Sequence, residues 1–107
     1  MVDYELNDLK REFLEEARGK VDEMQTALTS SDGKGVLERL GYLAHQLKGS
    51  GGSYGYSRIS EDAAELEKAV ESLDKTSGAS ASRDQLLTHV NDLRNAIDVA
   101  SAELKAE

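Results

Sequence analysis

The stretch Val36-Leu37-Glu38-Arg39-Leu40-Gly41-Tyr42-Leu43-Ala44-His45-Gln46-Leu47-Lys48-Gly49-Ser50-Gly51-Gly52-Ser53-Tyr54 sets two rules of sequence reading against each other. Val36, Leu40, Leu43, Ala44 and Leu47 recur every three or four residues, the spacing of one face of a helix. The glycine-rich residues that follow, through Gly55, argue for a stop, because glycine costs about 1 kcal/mol relative to alanine inside a helix. Propensity alone ends the helix near Lys48. Continued at about 100° per residue, however, the same helix returns Gly51 and Tyr54 to the apolar stripe. The chain has 107 residues and no proline, the strongest helix breaker. We therefore read this helix on to about Tyr54.

Working outward, three more blocks show helical spacing and none shows the alternation of a strand. Leu6, Leu9, Phe13, Ala17, Val21, Met24 and Leu28 form a long stripe, with Asp3 as its N-cap and Glu5 in its first turn. Thr29-Ser30-Ser31-Asp32-Gly33 has the composition of a turn. Ile59, Ala63, Leu66, Val70 and Leu73 follow a cap at Ser57, and residues 74 to 81 read as an exposed loop. Ser82-Arg83-Asp84-Gln85 matches a capping box ahead of Leu86, Val90, Leu93, Ile97, Ala100 and Leu104. Four helices, each apolar on one side and joined by short connections, hide those sides by packing around a common axis. The expectation is an all-α fold, an antiparallel up-down four-helix bundle, with residues 1–107 as a single domain.

Composition narrows the chemistry. There is no cysteine, hence no disulfide framework, no thiolate metal site and no cysteine nucleophile, in keeping with a reducing compartment. The apolar runs are short and the N-terminus lacks the basic and apolar regions of a signal peptide, so the expected location is the cytoplasm, with no membrane partner. A formal net charge of −8 repels nucleic acid and anionic lipid. That charge is unevenly spread. Residues 33 to 60 carry Lys34, Arg39, Lys48 and Arg58 against Glu38 alone, a local +3 that leaves −11 for the remainder.

Two histidines are the remaining candidates for nucleophilic or metal chemistry. With Val36 at 0°, His45 falls at about 180°, opposite the core stripe, and should face solvent. Gly41, Gly52 and Gly49 fall nearby at about 140°, 160° and 220°, so the imidazole has three neighbours without side chains, and Lys48 is the nearest charge at about 120°. An exposed histidine with a clear approach and a cation beside it suits docking and transfer. His89 sits at the edge of the last stripe and reads as a boundary residue. Two histidines on different helices give little basis for a metal site. The glycine run is neither Gly-x-Gly-x-x-Gly nor a Walker loop, because Tyr54 takes the last glycine position and Lys48 precedes the run. An outward histidine on a smooth helix also offers no pocket for a Ser-His-Asp triad.

Ala44-His45-Gln46-Leu47-Lys48-Gly49-Ser50-Gly51-Gly52-Ser53-Tyr54-Gly55, followed by Ala63-Ala64-Glu65-Leu66-Glu67, resembles the histidine-containing phosphotransfer (HPt) domain family, marked by His-x-x-Lys-Gly, a downstream glycine and a later Ala-x-x-Leu-Glu. Phe13-Leu14-Glu15-Glu16-Ala17 is similar to the opening of that family. The resemblance implies a bundle whose second helix presents His45 for phosphorylation. His45 would accept a phosphoryl group from a receiver-domain aspartyl phosphate and pass it to an aspartate of another receiver. The domain would have no active site of its own. The resemblance also implies receiver domains and a sensor or hybrid histidine kinase as partners, with Mg²⁺ held by the receiver and no cofactor or metal on this chain. Lys48 would neutralise phosphoryl oxygens. Glu67 would accept the Nδ1 proton of His45, since antiparallel helices turning near residue 56 place the two at one level. Gly41, Gly49 and Gly52 would leave the receiver room, and Arg39 and Arg58 would touch its rim.

Two other readings use the same residues. One is the substrate domain of a chemotaxis-type histidine kinase, which often carries a further histidine near the position of Ala64; this chain does not. The other is a helical adaptor that binds without phosphorylation. A small acidic bundle with its stripes turned inward is expected to be a monomer.

Overall fold

The structure is a computed structural model that describes residues 4–30, 34–75 and 81–106. These form four helices, α1 (Tyr4–Ser30), α2 (Lys34–Ser53), α3 (Ser57–Lys75) and α4 (Ala81–Ala106). Each helix packs on two neighbours, α1 on α2 and α4, α3 on α2 and α4, while the diagonal pairs stay apart. Cross-helix pairs run in opposite directions along each joint that they mark. Arg18 meets Asp98 and Asp22 meets Arg94 between α1 and α4; Phe13 meets Tyr54 and Glu23 meets Arg39 between α1 and the α2 region. The result is a rod of 53 × 21 × 18 Å.

The stripes read from the sequence meet along the axis. Met24, Leu40, Leu47, Ile59, Leu66 and Leu93 are fully buried, as are Ala17, Ala44 and Ala63, and no polar side chain is buried among the described residues. Large apolar side chains of this kind contribute about 1.5–3 kcal/mol each when removed from water. Leu6 and Leu9, expected on the inner stripe of α1, are instead exposed at 41% and 48%. The register fixed by Arg18 and Asp98 brings the described end of α4 level with Lys10, so no described α4 residue lies opposite them.

The contested stretch is helical. α2 runs through Gly49, Ser50, Gly51 and Gly52 to Ser53 and stops where Gly55 takes a φ of +83°. The amide of Tyr56 bonds the Gly51 carbonyl at 2.8 Å and that of Gly55 bonds the Gly52 carbonyl at 3.1 Å, the paired bonds of a Schellman ending. Only glycine adopts this left-handed conformation cheaply. Gly51 serves a different purpose, a close approach. A Cβ there would lie 3.1 Å from the Ser60 amide nitrogen and 3.3 Å from Ile59 Cγ2, so α3 can start directly against α2. Phe13 then stacks on both Tyr54 and Tyr56, with ring centroids 5.0 and 5.9 Å away, and ties α1 to the turn.

Several expected boundaries shift. Thr29 and Ser30 complete α1 instead of opening a turn, and Asp74 and Lys75 complete α3 instead of opening a loop. Ser57 is the first residue of α3, not its cap; the Tyr56 carbonyl receives the Ser60 amide at 3.0 Å, which puts the capping position at Tyr56. α4 begins at Ala81, so Ser82 lies inside its first turn and not at the cap of a capping box. Asp3, residues 31–33 and residues 76–80 lie outside the described residues.

Candidate functional site

α2 turns His45 outward, with 68% of its side chain exposed, because Ala44 and Leu47 on either side of it are fully buried. One turn further along, Lys48 leans toward α3, and Glu67 rises from α3 to meet both. His45 Nδ1 lies 2.8 Å from Glu67 Oε2, and Lys48 Nζ donates to Glu67 Oε1 at 2.6 Å. Glu67 is the most enclosed of the three, with 18% of its side chain exposed. Its carboxyl is held below its ordinary range chiefly by the Lys48 hydrogen bond, which outweighs partial burial and is aided by the bond to His45. Glu67 is therefore a carboxylate at neutral pH, able only to accept. The proton of this hydrogen bond must sit on Nδ1, so in the neutral imidazole the free lone pair is that of Nε2.

The neighbouring backbone keeps this level of α2 and α3 tight. Ser60 donates its hydroxyl to the Lys48 carbonyl at 2.8 Å, and Ala63 packs fully buried between Glu67 and the turn. Helical phase does not reveal the Ser60 bond, because it depends on the approach at Gly51. Gly49 is exposed with nothing near its missing side chain, and Gly52 is exposed with only Ser60 Oγ nearby, 3.7 Å from a would-be Cβ. Gly41 differs from both. It faces α3, where a Cβ would meet Val70 Cγ1 at 3.5 Å, and it is half-buried where the helix phase placed it in open solvent.

The two arginines do not converge on His45. Arg39 makes a two-pronged pair with Glu23 of α1, through Nε to Oε2 and through Nη2 to Oε1, the latter at 3.1 Å, and its guanidinium lies 5.5 Å from the Tyr42 ring centroid. Tyr42 in turn accepts a hydrogen bond from Gln46 at 2.9 Å, so α1 reaches toward the site through a line of side chains. Arg58 is 82% exposed at the start of α3 and lies 3.7 Å from Asp62. A groove of about 400 Å³ beside it, between the α2–α3 turn and α4, contains none of His45, Lys48 and Glu67. His89 is half-buried on α4 near Asp62. Among the described residues no three histidine, aspartate or glutamate side chains gather to hold a metal ion, and no helix is long and apolar enough to cross a membrane.

A family model, the Hpt domain, matches residues 8–103. The chain belongs to the Hpt domain family. Membership gives this Hpt domain a phosphotransfer role in two-component signalling and a phosphohistidine chemistry, in a family whose members interact with receiver domains and histidine kinases. No curated protein and no solved structure matches the chain. The four described helices are the helical bundle of an Hpt domain.

Proposed function

We propose that His45 is the phosphoacceptor of a phosphorelay, receiving the phosphoryl group from a receiver-domain aspartyl phosphate and passing it to an aspartate of another receiver. The observation that carries this reading is the 2.8 Å contact from Nδ1 of an exposed histidine to a carboxylate that Lys48 keeps ionised. In the forward step the Nε2 lone pair attacks phosphorus. The N–P bond forms, the acyl P–O bond breaks, and the carboxylate stays on the donor receiver. No proton has to leave Nε2, and Nδ1 keeps its own while the ring becomes cationic against Glu67. Transfer to the second receiver reverses these events.

A loose phosphoryl transition state needs positioning and charge neutralisation more than covalent help. Lys48 provides a cation one turn from His45, and Mg²⁺ held by the receiver would supply further positive charge. Gly49 and Gly52 leave the receiver space to approach. The segment from 33 to 60 carries a net +3 that favours approach to the receiver's acidic pocket, with Arg58 at the rim and Arg39 acting through Tyr42. The partners are receiver domains and a sensor or hybrid histidine kinase, and the domain works in the cytoplasm as a monomer.

The test mixes the protein with receiver domains charged with acetyl phosphate. Acid-labile, base-stable label should appear on wild type and be absent from His45→Gln. Label that persists in His45→Gln would move the site elsewhere, His89 first. Label obtained from ATP and a kinase core, but never from a receiver, would replace the relay reading with that of a kinase substrate domain. No label from either source would leave a helical adaptor.

A further inference from the structure

One turn along α2 from His45, and one turn along α3 beyond Glu67, a groove of about 210 Å³ opens between the two helices. Its floor is apolar, made by Leu37, by Val70 and by the space where Gly41 has no side chain. Tyr42, 54% exposed, forms one wall. The rim is acidic. Glu38 and Glu71 stand exposed on opposite helices, Glu67 closes the end nearest His45, and no basic side chain lines the groove. No described side chain pairs with Glu38 or Glu71. A cluster of carboxylates thus lies within about one helical turn, ~6 Å, of His45.

A narrow apolar floor, an aromatic wall and a carboxylate rim suit a long side chain with an aliphatic stem and a cationic head. The volume suits one side chain, not a helix. Resting on the relay reading above, we propose that this groove is a selectivity pocket for a lysine or arginine side chain that a docked receiver presents about 6 Å, one helical turn, from its phosphoacceptor aspartate. Glu38 and Glu71 hold the cationic head while the stem lies over Gly41 and Val70. A receiver with an acidic side chain at that place is repelled, so the pocket discriminates among receivers that share the same reaction centre. Because neither Glu38 nor Glu71 bonds to His45 or Lys48, the two act on encounter and not on the chemical step.

The experiment measures transfer from a panel of purified receiver domains, charged with acetyl phosphate, to wild type, Glu38→Gln/Glu71→Gln and Glu38→Lys/Glu71→Lys. For the receiver that wild type prefers, the lysine variant should lose about 30-fold or more in kcat/KM, carried by KM, with kcat within about twofold. The glutamine variant should fall between. Changing one lysine or arginine on that receiver's docking face to glutamate should restore the lysine variant and impair wild type. Phosphoramidate, a small donor that needs no docking, should label His45 equally in all three proteins. Equal receiver transfer by wild type and the lysine variant would overturn the pocket, as would a loss of phosphoramidate labelling that parallels the loss of transfer. If phosphoramidate labels His45 and no receiver does so even in wild type, the relay reading itself fails and the pocket falls with it.

Discussion

Alanine at Gly51 and alanine at Gly49 should move stability in opposite directions, although both glycines lie in the same two turns of α2. Inside a helix, alanine gains up to about 1 kcal/mol over glycine by restricting the unfolded chain. At Gly49 nothing lies within 4 Å of the added Cβ, so most of that gain should appear. At Gly51 the Cβ would sit 3.1 Å from the Ser60 nitrogen, 3.3 Å from Ile59 Cγ2 and 3.4 Å from Ser60 Cα. Two of those atoms are backbone and cannot rotate away, and Ser60 is fixed by its bonds to the Lys48 and Tyr56 carbonyls. The first turn of α3 would have to retreat, an overpacking cost of about 1–3 kcal/mol. After the helix gain is subtracted, Gly51→Ala should be about 1 kcal/mol less stable than wild type, and the two variants should differ by about 2 kcal/mol. For a domain of this size that separates their melting temperatures by roughly 10 °C. Urea denaturation with a shared m-value, checked by a thermal melt, measures the difference. A Gly51→Ala protein as stable as Gly49→Ala would refute the close approach of α2 and α3 on which the site's geometry depends.

Glu67→Gln should slow receiver-dependent transfer by about tenfold to a hundredfold, since a charge-assisted hydrogen bond is worth about 1.5–3 kcal/mol. ¹⁵N shifts of His45 should show the Nδ1-protonated tautomer losing population in that variant; an unchanged tautomer would remove the role given to Glu67. Lys48→Ala should slow transfer while shifting the melting temperature by only a few degrees, because the side chain is 40% exposed and its pairing contributes modestly to stability. Acid should erase the contribution of Glu67. A carboxyl lowered below its ordinary 4.5 stabilises the fold fully above that value and loses this contribution as pH falls through its folded pKa, so wild type and Glu67→Gln should converge in acid melts. Gly55→Ala should destabilise by about 1–2 kcal/mol through its left-handed φ, measured by the same urea titration.

Periodicity was enough to place the stripes and the outward histidine, because a helix in a bundle must turn one face inward whatever its neighbours are. It also prevailed over glycine propensity in α2, where burial of Leu47 and Gly51 on the stripe outweighs a local cost. What one helix cannot announce is what another brings to it. Arg39 is engaged by a carboxylate from α1, Gly41 opens toward Val70, and Leu6 and Leu9 lie beyond the described reach of α4. The level of Glu67 with His45 followed from the turn near residue 56. That Lys48 shares the same carboxylate did not, since the reach of a flexible side chain is independent of its helical phase. Gly55 was one glycine among several by sequence, and its φ singles it out.

The single carboxylate of Glu67 makes the site a gauge of how α2 and α3 are aligned. Both of its oxygens are occupied, each by a group on the other helix, and hydrogen bonds keep their strength only over a few tenths of an ångström around 2.7–3.2 Å. One residue of helical slip is about 1.5 Å, enough to break at least one of the two. A loosely collapsed chain with all four helices formed would still display an imidazole, but one with its proton on either nitrogen. On the proposed reading, competence for transfer is thereby joined to completed packing, and the rate of phosphoryl uptake by His45 should itself report native register.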